Sequence, residues 1–229
     1  MITTYEQLLE TLDELMRTKP RLDWDEFYHD RERNVPFFTS DPDENLVSYV
    51  EDDKLTFDRV LELGCGNGRN AHFLAENGSQ VLAVDQSREA IRWAKETASS
   101  VDFIQADVLK LDVDRHAFDL IYDSGCFHHL APHQRIQYLA LVDHALKPGG
   151  YYAVSCFKAN GPLGGAVLTD VEIYRQRSLQ GGLGFTKGDL EAYFSPWKPI
   201  EIRDMRETDE EEQRFGKDGL LVARFQKGE

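Results

Sequence analysis

The chain is poor in cysteine and in positive charge, and it lacks any long hydrophobic run. Its three cysteines, Cys65, Cys126 and Cys156, are odd in number and far apart in 229 residues. That excludes a disulfide framework as the source of stability. They also lack zinc-site spacing, so no metal is expected. Lysine and arginine total 26 against 41 aspartates and glutamates, a formal charge of −15. Such a surface repels phosphate backbones, and no nucleic-acid partner is expected. No apolar segment approaches the ~20 residues of a membrane span. The opening MITTYEQLLE has neither the basic start nor the apolar run of a signal peptide. A cytoplasmic protein with no membrane partner is therefore expected. The acidic run at 207–212 reads as a solvated loop.

Hydrophobic residues make up 41% of the chain, enough for the core of one domain spanning 1–229. Residues 3–17 place Tyr5, Leu8, Leu9, Leu12, Leu15 and Met16 at helical spacing, and Pro20 is expected to end that helix. Residues 23–31 predict a short helix with Trp24, Phe27 and Tyr28 on its apolar side. Residues 40–50 predict a turn and a third helix. Together, 1–50 would form a helical N-terminal cap. From Phe57 the texture changes. Strand candidates at 57–63, 80–85, 101–107, 118–125 and 151–157 alternate with helical segments at 68–78, 88–98 and 132–146. Ser87 and Pro132 mark two helix starts. Several of these strands are apolar on both faces, which predicts an α/β fold with a doubly wound, mostly parallel sheet. Two late strands, 199–205 and 220–226, have no helix-length segment between them and are expected to pair antiparallel.

The first strand ends in VLELGCGNGRN, where Gly64, Gly66 and Gly68 alternate with Cys65 and Asn67. Glycine lets a ligand touch the backbone and tolerates positive φ. The spacing is G-x-G-x-G, which departs from the dinucleotide fingerprint, and the G-K-[S/T] of a P-loop is absent. Asp85 ends the second strand, 21 residues after Gly64, where a carboxylate can accept from both hydroxyls of a ribose. Asp107 ends the third, where it can accept from an adenine amino group. Glu62 adds an acid beside the glycines. This lining suits a cationic adenosine better than a pyrophosphate.

These segments, with FDLIYDSG and LKPGG in the same register, resemble the class I S-adenosylmethionine-dependent methyltransferases over 57–157. The resemblance implies a seven-stranded sheet with a reversed last hairpin. It also implies an S-adenosyl-L-methionine site that includes Glu62, Gly64, Cys65, Gly66, Gly68, Asp85, Gln86, Asp107, Val108 and Asp123. Tyr28 and Arg33 from the N-terminal helices are candidate contacts to the methionine carboxylate. GCGNGRNAHFLAENG and the C-terminal GFTKGDLEAYFSPW and KDGLLVARFQK resemble the tellurite-resistance and thiopurine-type methyltransferases, whereas DSGCFHHL is closer to general small-molecule methyltransferases. The N/D-P-P-Y/F motif of amino-methyltransferases acting on adenine and glutamine is replaced by DSGC, which argues against those acceptors.

Methyl transfer from a sulfonium needs alignment and desolvation, and a base only for some acceptors. His128 and His129, in SGCFHHLAP after the fourth strand, are the candidate catalytic residues, because imidazole titrates near neutrality. His133 is expected on a helix surface. Cys126, Trp93 and Trp197 are read as core. The glycine-rich segment 158–198 is expected to be a substrate-side insertion, and 199–229 a terminal strand hairpin. The acceptor is expected to be a small molecule such as a thiol, chalcogen oxyanion or phenol, and the protein a monomer or homodimer. A cofactor-binding sensor or partner subunit without catalysis, and an NAD or nucleotide-sugar enzyme, are the competing readings.

Overall fold

A computed structural model describes residues 1–17, 22–52, 55–97 and 100–228. The elements run α1 (Tyr5–Arg17), α2 (Trp24–His29), α3 (Glu44–Val47), β1 (Arg59–Leu63), α4 (Arg69–Glu76), β2 (Gln80–Asp85), α5 (Arg88–Ala94), β3 (Asp102–Gln105), β4 (Phe118–Ser124), α6 (Pro132–Ala145), β5 (Leu146–Phe157), α7 (Asp170–Gln176), α8 (Lys187–Tyr193), β6 (Lys198–Asp204) and β7 (Leu220–Gln226). The expected helix stop at Pro20 lies outside the described residues, as does Ala98 at the end of the expected 88–98 helix. No helix among the described residues is long and apolar enough to cross a membrane.

The seven strands form one sheet in the order β3-β2-β1-β4-β5-β7-β6. The first five are parallel, and β7 runs antiparallel between β5 and β6. This is the Rossmann-like architecture expected from the sequence. Successive residues of a strand face opposite sides. Val60, Leu120 and Tyr122 therefore join Leu46, Leu74 and Ile91 in one core layer. Leu61, Leu63 and Ile121 join Tyr138, Val142, Leu190 and Phe194 in the other. A sheet covered on both faces explains why the middles of its central strands, Val60–Leu61, Leu82–Val84 and Leu120–Ile121, are apolar.

The chain leaves the sheet in opposite directions from β1 and from β4, so a crevice opens between their carboxyl ends. Sequence chemistry tightens the turns around it. Ser87 Oγ accepts from Ala90 N at the start of α5. Pro132 occupies the first turn of α6, where its missing N–H costs nothing. Helices α1 and α2 and the 158–186 segment close over the crevice. Of α1's apolar stripe only Met16 is buried, while Tyr5 and Leu8 stay exposed.

Candidate active site

The crevice holds a cavity of about 760 Å³, inside the roughly 300–1,000 Å³ range of small-molecule sites. Its floor is the glycine loop. Gly64 N and Cys65 N both donate to Val84 O, at 2.8 and 3.0 Å, which pins the loop to β2. Gly64 and Gly66 have φ of +73° and +54°, the region that favours glycine. A Cβ on Gly66 would lie 2.7 Å from the Tyr28 hydroxyl, and one on Gly64 would lie 2.8 Å from Cys126 Cβ. The two glycines thus admit close packing as well as an unusual backbone.

Asp85 fastens this floor. One carboxylate oxygen accepts from Gly66 N at 2.9 Å and the other from Ser87 N at 2.8 Å. A carboxylate offers about four lone-pair positions, so acceptor capacity remains toward the cavity, which Asp85 lines. Burial pushes its pKa up to about 6, against the pull of those two N–H donors. Glu62 is nearly fully buried and also lines the cavity. Its Oε2 finds no hydrogen-bond partner among the described residues. Burial raises its pKa to about 8, opposed mainly by the nearby Arg69 guanidinium.

The structure places the predicted residues unevenly. Glu62, Gly64, Cys65, Gly66, Asp85, Gln86, Asp107, Val108, Tyr28, His128 and His129 all line the one cavity. Asp107 lies two residues past the end of β3, where its side chain caps a short 3-10 turn by accepting from Leu109 N. Gly68 is not in the lining, because its α-carbon packs toward Phe103 and Ala94.

Two further predicted residues lie outside the cavity lining. Asp123 is wholly buried and does not line the cavity. It accepts from Cys126 N, Phe127 N and, at 2.5 Å, from the Tyr138 hydroxyl, so it shapes the turn after β4. Arg33 is also absent from the lining: it sits over the Phe27 ring, 3.9 Å from Asp30. The cavity arginine beside the glycine loop is instead Arg69. It forms a 2.5 Å ion pair with buried Asp43 and reaches Asp41 O and Ser124 Oγ. Arg69 is the first residue of α4, and nothing in the sequence pattern distinguished it from a solvent-facing position.

The far wall comes from β4, β5 and the insertion. Ser155, Phe157, Leu163 and 177–181 line it, and α1 contributes Glu6, Leu9, Glu10, Asp13, Met16 and Arg17. Cys126, expected in the core, is half-buried and lines the cavity, whereas Trp197 does belong to the core. His133, expected on a surface, is buried. Its Nε2 lies 3.1 Å from Asp13, and its Nδ1 lies 2.9 Å from the Tyr174 hydroxyl. Gln134 donates to the same Asp13 oxygen at 2.8 Å. These contacts tie α1 to α6 and α7. They escaped sequence reading because Asp13 and His133 are 120 residues apart.

His128 and His129 touch each other, with Nε2 to Nε2 at 3.0 Å. His128 stacks on Phe157 at 4.0 Å, and His129 meets the edge of Trp24 at 4.8 Å. Burial holds both imidazoles neutral at pH 7, His129 with a pKa of about 4. Among the described residues, no group of three His, Cys, Asp or Glu could hold a metal ion.

Comparison with known proteins bears on this geometry. A family model described as a methyltransferase domain matches residues 60–150. An uncharacterized methyltransferase of Synechocystis sp. is 32% identical over 96 residues, covering 42% of this chain and 45% of that protein. The 2-heptyl-1-hydroxyquinolin-4(1H)-one methyltransferase of Mycobacteroides abscessus is 31% identical over 127 residues, covering 53% and 56%. The chain therefore spans about half the length of these curated relatives. Among solved structures, the 1,6-didemethyltoxoflavin-N1-methyltransferase of Burkholderia thailandensis superposes with a TM-score of 0.65 at 22% identity, covering 100% of this chain and 92% of that one. TehB from Haemophilus influenzae gives 0.58 at 19% identity, covering 80% and 61%. At these identities the superpositions speak for the fold.

Proposed function

We propose, from the premise that residues 60–150 are a class I, S-adenosylmethionine-dependent methyltransferase domain, that the chain transfers the cofactor's methyl group to a small-molecule acceptor. The observation that carries this reading is the single cavity joining Asp85 and the glycine loop to the histidine pair beyond β4. The lining fits the cofactor. Asp85 retains acceptor positions for the two ribose hydroxyls, and Asp107 has one for the adenine amino group. Glu62, which lines the cavity, would receive the methionine ammonium, with Arg69 on the carboxylate side. When bound, S-adenosyl-L-methionine supplies an electrophilic methyl on a sulfonium, and the acceptor displaces the thioether in line.

The chain's own residues orient and exclude. The backbone of Gly64–Gly66 lets the ligand approach closely. Tyr28, Trp24 and α1 close the cavity from above, and the insertion residues Leu163 and Leu179 cover the acceptor end. Dehydration of that end strengthens every charge interaction in it. A small acceptor fits both the enclosed cavity and the named relatives, which act on a hydroxyquinolone and a didemethyltoxoflavin. We also read the protein as cytoplasmic, and as a monomer or homodimer.

Calorimetry with S-adenosylhomocysteine tests the cofactor, with micromolar or tighter binding expected. Release of S-adenosylhomocysteine across a panel of thiols, phenols, hydroxy-heterocycles and amines tests turnover. Binding without release for any acceptor would favour a non-catalytic cofactor-binding protein. Binding of NAD instead would overturn the proposal.

A further inference from the structure

The histidine pair is wired in one direction, and the wiring starts from the backbone. Phe157 N–H donates to His128 Nδ1 at 3.3 Å. A backbone amide can only donate, so His128 Nδ1 must be the lone-pair nitrogen. In a neutral imidazole the proton is then on Nε2. That proton faces His129 Nε2 at 3.0 Å, which must accept it. The proton of neutral His129 is thereby confined to Nδ1, and Nδ1 has no hydrogen-bond partner among the described residues. His128 is clamped flat against Phe157 and His129 is held edge-on by Trp24, so neither ring can rotate freely to reverse the relay. Leu183 N also donates to His128 O at 2.9 Å, which ties the backbone of the pair to the insertion.

Strand order fixes the end of the cavity in question. Asp107, Asp85 and the glycine loop follow β3, β2 and β1, whereas the histidines follow β4 beside β5. His129 therefore lies on the acceptor side of the site. We infer that His129 is a hydrogen-bond donor to the acceptor rather than a general base, and that the acceptor is an acidic small molecule bound as an oxyanion, of the phenol or hydroxy-heterocycle class. This rests on the methyltransferase reading and adds to it the acceptor chemistry and the role of each histidine. His128 is a positioning residue that transmits the Phe157 amide's constraint.

In the transfer, the acceptor's proton has already gone to bulk water. The nucleophile's lone pair forms the bond to the methyl carbon, the carbon–sulfur bond breaks, and its electron pair stays on sulfur as the neutral thioether. The acceptor's negative charge and the sulfonium's positive charge cancel, so no base is needed in the cavity. Glu6 and Glu10 at the cavity rim are exposed, so solvent screens their repulsion of an anion. Asp13, the other acid of α1 there, is engaged by His133 and Gln134, and Arg17 and Arg177 line the same cavity.

The test is nitrogen-15 NMR of histidine-labelled protein saturated with S-adenosylhomocysteine, with para-nitrophenolate as the acceptor probe. Two-bond nitrogen–proton patterns report which ring nitrogen carries the proton. His128 is expected in the Nε2–H form and His129 in the Nδ1–H form at neutral pH. Para-nitrophenolate should shift the His129 Nδ1–H signal downfield. His128→Gln, whose amide nitrogen can stand in for Nε2–H, should keep His129 in the Nδ1–H form. His128→Phe should let it redistribute, a change that a purely space-filling His128 would not cause. His129→Asn should bind the phenolate within about threefold of wild type, and His129→Phe roughly tenfold or more weaker. A His129 with its proton on Nε2, or no response of its Nδ1–H to the phenolate, overturns the inference. S-adenosylhomocysteine affinity measured on the same samples reports folding and the underlying methyltransferase reading separately.

Discussion

The two ends of the cavity are built on different principles. The end over β1–β3 is made of backbone and buried acid. Its glycines sit at positive φ, each Asp85 oxygen holds a loop amide, and Glu62 is withdrawn from water. The end over β4 and β5 is made of side chains brought from distant parts of the chain: Asp13 on α1, Trp24 on α2, the histidine pair, and 177–181 of the insertion. A cofactor shared by many reactions calls for the first kind of construction. An acceptor particular to one reaction calls for the second, because loops and covering helices change without disturbing the sheet.

The largest effect that would break this contrast is at Asp85. Asp85→Ala removes two loop anchors and two proposed charge-assisted ribose contacts. It should weaken S-adenosylhomocysteine by about 2–4 kcal/mol, roughly 30- to 1,000-fold in Kd by calorimetry. An unchanged Kd would remove the ribose assignment.

Next comes the tightness of the glycine floor. Gly66→Ala meets both a positive φ and the Tyr28 hydroxyl, and should cost about 1–3 kcal/mol of stability in urea unfolding. In a Tyr28→Phe background the penalty of adding the methyl should shrink, since the obstructing oxygen is gone. Equal penalties in both backgrounds would show that φ alone matters.

Glu62 sharpens the contrast through protons. Its folded-state pKa of about 8 lies above the ordinary 4.5. Between those values the folded state holds a proton that the unfolded state has lost, so this group makes stability fall as pH rises through the window. At pH 7 the free protein therefore carries a protonated Glu62. A bound ammonium would drive that proton off. Calorimetry at pH 7 in buffers of differing ionisation enthalpy should show release of roughly half a proton or more, lost in Glu62→Gln. Absence of buffer dependence would take Glu62 out of the ammonium site.

The smallest effect is expected at the acceptor end. Asp13→Ala cuts the tie from α1 to His133 and Gln134, at about 1 kcal/mol or less. Hydrogen exchange should quicken in Tyr5–Arg17 and stay unchanged in β1–β5, with cofactor affinity preserved. Loss of cofactor binding would mean that the two ends are not independent.

Legibility in the sequence follows the same division. The order of strands and helices was readable because apolar periodicity, the Ser87 cap and Pro132 are local signals. Gly64, Gly66, Asp85 and Asp107 were readable because strand ends in a parallel sheet must converge on one edge. That Asp123 and Arg33 would lie outside the cavity lining was not readable, for a different reason. Residue type and position near the site marked both, but Asp123 is consumed by the Cys126 and Phe127 amides and the Tyr138 hydroxyl, and Arg33 lies over the Phe27 ring, outside the cavity lining. Arg69 went unnoticed because its partner Asp43 lies in a separate segment whose approach to α4 no local pattern records.

The sequence by itself determined the alternation of elements, the glycine turn and the acids at the strand ends, since each depends on neighbours within a few residues along the chain. Only the tertiary structure decided which polar groups were already spoken for. It turned Asp123 inward, put Arg69 into the cavity, locked His133 to α1, and set the Phe157 amide against His128. Hydrogen-bond partners separated by tens of residues are chosen by packing, and a carboxylate or imidazole has a function to offer a ligand only where packing leaves one of its atoms unused.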